Sequence, residues 1–225
     1  MISTGTSLAI ETNSQDFHGL FTLYMVIAVV VAVLVLGAIA FALIRYRRRD
    51  DAETRDVRGL KPLEAIWVGL IAVVVVVLVV STFRTEDRVD AVSSDPAQTV
   101  DVLAFQWGWR FSYPGTGITR AGTGENPPTL VVPADVPVRF DLRSRDVIHS
   151  FFVPELKFKR DAFPNRTTTF DLVFDPGVST VGHCAEFCGL GHDNMGFQVV
   201  SMSQADFQRW LQSHERSASS RGGSS

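Results

Sequence analysis

Residues 184–195 read CAEFCGLGHDNM. Both cysteines of the 225-residue chain, Cys184 and Cys188, fall in this stretch, followed by His192 and Met195. Two thiolates, an imidazole and a thioether on one short segment form a soft donor set of the kind that suits copper. Upstream, His149 lies in DVIHSFFVP, which reads as a strand. A loop supplying most donors and a distant strand supplying one histidine would clamp a metal between parts of a fold that cannot move independently. Other chemistries compete for the same residues. A Cys184–Cys188 disulfide is the plainest one outside the cytosol, but it needs neither His192 nor Met195. Zinc would accept the cysteines and histidines, and methionine only poorly. A mononuclear blue-copper site uses one cysteine, two histidines and a weak methionine. Here there is one thiolate too many, and the surplus suggests two metals sharing two sulfurs.

Outward from that stretch, short alternating runs separated by Gly and Pro begin at Thr99. TVDVLAFQW, TLVVPA, VPVRFDLRS, VIHSFFV, TTTFDLVF and GFQVVSM each read as strands, which predicts a β-sandwich or barrel. Between Tyr113 and Thr129, PGTGITRAGTGENPP reads as a turn-rich surface loop, and ELKFKRDAFPNR after His149 as a charged edge or loop. QWGWRFSY at 106–113 concentrates aromatics, as the packed core of a small sandwich would. Ser203 is placed to cap a last amphipathic helix in which Phe207, Trp210 and Leu211 share a face, and the tail from 215 to 225 is expected to be disordered.

The N-terminal third is of another kind. Leu20–Ile44 is almost unbroken apolar sequence, about 37 Å as a helix, which is enough to cross the ~30 Å hydrocarbon layer. Ala65–Phe83 is a second such stretch, rich in valine, where only a helix would satisfy the backbone in lipid. Arg45, Arg47, Arg48, Arg49, Arg55, Arg58 and Lys61 lie between the two, whereas residues 1–19 hold no Lys or Arg. The positive-inside rule therefore puts loop 45–64 in the cytoplasm and both the N-terminal tail and everything after about residue 84 outside. The expected organisation is a tail (1–19), a transmembrane hairpin (20–83), a connector (84–98), a β domain (99–214) and the tail. A net charge of −3 gives no sign of nucleic-acid binding.

The pattern C-x-E-x-C-x3-H-x2-M, preceded by D-V-x-H-S-x-x-V-P, resembles the binuclear copper A signature of cytochrome c oxidase subunit II, and the resemblance extends over nearly the whole chain. It implies a Greek-key, cupredoxin-like domain behind a two-helix membrane hairpin. It also implies that Cys184 and Cys188 bridge two coppers, with His149 and His192 as terminal imidazoles and Met195 and the Glu186 carbonyl as weak ligands. The Glu186 carboxylate would reach a magnesium ion at the interface with subunit I, a hard ion suited to oxygen. Trp107 matches the tryptophan through which electrons arrive. Glu64, in E-x-x-W at the inner end of the second span, matches a residue at the mouth of a proton channel, although an acid in a first helical turn is also favoured by the helix dipole. Lys159, Asp161, Pro164 and Arg166 match a motif facing subunit I.

The chain departs from the family where VGLIA follows Trp67 without a proline, where Gly108 stands in place of a tyrosine, and where the 114–128 loop is shorter and less acidic. The implied function is electron input to a haem-copper terminal oxidase. Its partners would be subunit I, subunit III, membrane lipid, and cytochrome c or a membrane-bound cytochrome c domain as donor. A membrane-anchored carrier acting without an oxidase and a disulfide-stapled structural sandwich are the rival readings. A quinol-oxidising relative would lack the copper ligands.

Overall fold

The computed structural model describes residues 13–47 and 61–222. The N-terminal stretch before residue 13 and Arg48, Arg49, Arg55 and Arg58 lie outside the described residues. The chain forms two compact units, one spanning residues 17–87 and the other containing everything from Arg88 onward.

In the first unit, α1 (Asn13–Arg45) and α2 (Lys61–Val89) are each long and apolar enough to cross a membrane. Pro62 sits in the first turn of α2, where its missing N–H is not needed by the helix. No apolar residue of either span is buried, as befits side chains whose solvent is lipid. The hydroxyls of Tyr24 and Thr82 are 2.7 Å apart, linking the early part of α1 to the late part of α2. Both helices outrun the apolar stretches. α1 starts seven residues before position 20, and α2 continues through 84–89, which the sequence assigns to the connector. Propagating an existing helix gains one hydrogen bond per residue ordered, so polar flanks readily continue it.

The second unit is a sandwich of two five-stranded sheets. The first has the order β3 (Ile118–Thr123), β2 (Gly108–Tyr113), β1 (Gln98–Phe105), β5 (Val138–Ser144), β8 (Thr168–Leu172). The second runs β4 (Thr129–Pro133), β10 (Gly196–Met202), β9 (Ser179–Cys184), β6 (His149–Val153), β7 (Phe158–Ala162). The pairs β1/β5 and β4/β10 are parallel and the others antiparallel. Trp109, Phe111, Phe140, Phe151, Phe170, Phe174 and Phe197 fill the space between the sheets and are wholly buried. The Tyr113 hydroxyl donates to the Val131 carbonyl at 2.8 Å and accepts from the Val131 N–H at 2.9 Å. Burial holds that phenol protonated well above its usual range.

Four of the ten strands are not where the sequence suggests. β3 occupies the supposed surface loop and β7 the supposed charged loop. Both are sheet edges, where charged and polar residues blunt unwanted pairing and hide the apolar alternation. β2 comes from the aromatic run, with Trp109, Phe111 and Tyr113 alternating inward. β9 (STVGHC) has too few large apolar residues to signal itself. The last helix, α3 (Gln204–Gly222), also continues past 214 into the tail expected to be disordered. The Ser203 hydroxyl accepts from the Asp206 N–H at 3.2 Å, and Phe207 and Leu211 are buried against the domain.

Candidate metal centre

β6 and β9 are neighbours in the second sheet, paired so that Phe151 lies opposite Cys184. Side chains two apart on a strand share a face, so His149 and Phe151 both point inward towards Cys184. Loop 185–195 then leaves β9 and returns as β10. It is closed at its base by the Cys184 N–H donating to the Met195 carbonyl at 3.0 Å. The sheet thus fixes the first histidine and the first cysteine, and the loop carries the remaining donors back over them.

The sulfurs of Cys184 and Cys188 are 3.8 Å apart and both residues are reduced. His149 Nδ1 lies 3.8 Å from the Cys184 sulfur, and His192 Nδ1 lies 3.6 Å from the Cys188 sulfur. Met195 Sδ is 3.8 Å from Cys188 Sγ, and the Glu186 carbonyl oxygen is 3.2 Å from Cys184 Sγ. His149, Cys184 and Cys188 are all buried, with donor atoms within 4.8 Å of one another. One imidazole and one weak donor therefore stand beside each sulfur. The donor types fit copper, with two shared soft thiolates, two imidazoles, a thioether and a carbonyl. They fit zinc less well, because a thioether is a poor zinc ligand.

Residues 119–202 match the family model for the periplasmic domain of cytochrome c oxidase subunit II, and residues 6–85 match that for its transmembrane domain. A probable cytochrome c oxidase subunit 2 of Streptomyces avermitilis is 33% identical, over 82% of this chain and 70% of the relative. The chain belongs to the cytochrome c oxidase subunit II family. The cytochrome c oxidase subunit 2 of Synechocystis is 29% identical, over 91% of this chain and 74% of its own length. In fold, the β domain resembles the crystal structure of the periplasmic domain of subunit II of the Bradyrhizobium japonicum cytochrome oxidase. That match has a TM-score of 0.50 and 24% identity, covering 56% of this chain and 99% of the other.

Electrostatics separate the two thiols of this subunit II chain. Burial pushes Cys184 up, but hydrogen bonds from His149, from the main chain at Glu186 and Ser150, and from His192 outweigh it and bring the thiol down to about 6. Burial and the neighbouring Cys184 thiolate push Cys188 up to about 12. His149 is held above the usual imidazole range, since Cys184 and Asp146 together overcome the burial that opposes its charge.

Asp146 has no assigned role in the sequence reading, although it opens the motif that contains His149. Its Oδ1 lies 2.8 Å from His149 Nε2, and a carboxylate can only accept there, so Nε2 carries the proton and Nδ1 is left free to face the sulfur. Trp109, two residues after Trp107, makes the ring contacts with His149, Phe151 and Phe197. Trp107 is half-buried against the ligand loop, with its Nε1 donating to the Cys188 carbonyl at 3.2 Å. Its ring lies on Gly191, where an added Cβ would come within 2.7 Å of the indole, and beside Gly189, whose φ of 118° no other residue adopts comfortably.

The Glu186 carboxylate is exposed and paired with Lys159 Nζ at 3.2 Å. Lys159 also reaches Asp161 at 3.2 Å, and the Arg166 guanidinium lies over Phe163. Glu64 sits in the first turn of α2, far along the chain from this centre. Of the other histidines, His183 packs edge-on against Phe152, and His214 bonds Arg120 and lies against Trp210.

Proposed function

We propose that the chain is the electron-input subunit of a haem-copper terminal oxidase and that its centre is a binuclear copper A site. The observation that carries this reading is the pair of reduced sulfurs 3.8 Å apart with one imidazole beside each. Cys184, Cys188, His149, His192, Met195 and the Glu186 carbonyl would hold the two coppers, which would supply a one-electron redox centre. The chain's residues supply the rest. Sheet and loop hold the donors in fixed places, and Phe151, Phe197 and Trp109 pack beneath them and exclude water. Trp107, half exposed and bonded to the Cys188 carbonyl, offers a short covalent and hydrogen-bonded link from the surface to a bridging sulfur.

In this reading a cytochrome c, or a membrane-bound cytochrome c domain, delivers electrons at Trp107. They leave for haem in subunit I, where oxygen is reduced and protons are pumped. Subunit III completes the membrane assembly. The Glu186 carboxylate, here exposed and paired with Lys159 at 3.2 Å, would exchange that partner for magnesium at the subunit I face. Glu64 would take up protons at the inner end of α2. The hairpin would hold residues 45–64 in the cytoplasm and the β domain, about 99–214, outside. An impermeant thiol label should then reach an engineered cysteine at Ser219 in intact cells and not one at Ala52; the reverse pattern contradicts this topology.

The role of Trp107 is tested by stopped-flow reduction of the assembled oxidase by cytochrome c. Trp107→Phe keeps the ring and loses the easily oxidised indole and its N–H. Copper reduction should slow at least tenfold with the copper spectrum and melting temperature unchanged. A rate equal to that of the unaltered protein would leave Trp107 as packing alone.

A further inference from the structure

Asp146 uses its two carboxylate oxygens on different elements. Oδ1 takes the His149 Nε2 proton at 2.8 Å and the Val147 N–H at 2.8 Å. Oδ2 takes the main-chain N–H of Gln106 at 2.8 Å. Gln106 lies in the turn between β1 and β2, immediately before Trp107, and its side-chain Nε2 donates to the Cys188 carbonyl at 2.7 Å. That carbonyl also accepts from Trp107 Nε1 at 3.2 Å. A continuous hydrogen-bonded chain therefore runs from His149 through Asp146 and Gln106 to Cys188, with Trp107 joined to its far end. It links the strand-borne histidine, the electron-accepting turn and the loop-borne cysteine, three segments from distant parts of the sequence.

We propose that Asp146 and Gln106 are positioning residues: Asp146, through His149, sets the reduction potential of the copper centre, and the Gln106 side chain, through the Cys188 carbonyl, holds Trp107 against it. This rests on the copper A reading above. A carboxylate on the outer nitrogen of a ligating imidazole fixes its orientation and makes it a stronger donor, which favours the oxidised metal. The same carboxylate anchors the Gln106 main chain, so a displacement of the turn would be felt at His149. Gln106 contributes no charge. Its role is to keep the Cys188 carbonyl oriented towards the indole.

The test uses the full chain purified with its partner subunits in mild detergent. Asp146→Asn removes the charge at nearly constant shape. It should shift the reduced-to-oxidised ratio of the copper centre at a given potential about tenfold towards reduced, equal to about 59 mV for one electron. It should also speed copper loss to a chelator by roughly 10–100-fold, the range for outer partners of metal ligands. Gln106→Leu should leave the potential in place, increase quenching of Trp107 fluorescence by a soluble quencher, and slow reduction by cytochrome c severalfold.

An unmoved potential in Asp146→Asn, in a preparation whose unaltered form shows the two-copper spectrum, would overturn the proposal and leave the copper reading standing. A single-copper or copper-free spectrum in the unaltered protein would remove both. If Asp146→Asn does not accumulate as folded protein, Asp146→Glu, which keeps the charge and displaces the carboxylate from His149, decides its part: an unmoved potential would overturn the proposal. Gln106→Leu decides the other part, and quenching and reduction rate equal to those of the unaltered chain would overturn it as well.

Discussion

The two halves of the metal centre are built differently. Cys184 and His149 stand on paired strands of the sandwich, both buried, with His149 held by a carboxylate at 2.8 Å. Cys188, His192 and Met195 belong to the returning loop, where His192 lies in a short 3-10 turn and is only half-buried. Among the described residues no carboxylate bonds to His192, and its ring neighbour Phe187 is itself 79% exposed. The contrast indicates that the sheet provides a prearranged half-site and that the loop completes it.

The largest effect should come from the one residue pair the halves must share. Cys184→Ser puts a hard, weakly acidic hydroxyl where a bridging thiolate is needed, and the two-copper character should vanish completely. A variant that keeps the copper content and spectrum of the unaltered protein would break the ligand assignment. The histidines should separate next. His149→Ala takes from Asp146 its imidazole donor and opens space at the top of the core, a loss of roughly 2–3 kcal/mol in the metal-free domain. His192→Ala should cost within about 0.5 kcal/mol, as surface changes do, while weakening copper binding. Equal melting temperatures for the two variants would show that the halves do not differ in rigidity.

The smallest effect concerns the thiols. Ultraviolet titration of metal-free protein should show one thiolate forming near pH 6 and the second only towards pH 12. The pair thus retains a proton in the neutral range, which copper loading should release, so binding should grow tighter as pH rises. Simultaneous ionisation of both thiols near their ordinary value would contradict the asymmetry.

The donor cluster was legible because residues of these types are rare and this stretch concentrates them; Cys184, Cys188, His192, Met195 and His149 lie together in the fold. The membrane spans were equally plain, since only sustained apolar runs satisfy lipid. What escaped were features that depend on pairing in space. β3 and β7 carry the polar residues of sheet edges and so show no alternation. Trp107 and Trp109 are two residues apart, and nothing in QWGWRFSY says that Trp109 enters the core while Trp107 lies on the glycines of a loop some 80 residues away. Asp146 was visible three residues before His149, but its reach to Gln106 depends on how the sandwich closes.

The most direct test of the whole account is an EPR spectrum of the purified, oxidised full chain with its partner. One unpaired electron shared equally by two coppers, giving seven-line hyperfine structure in the manner of two equivalent nuclei, is the predicted result. A four-line pattern from a single copper would contradict it.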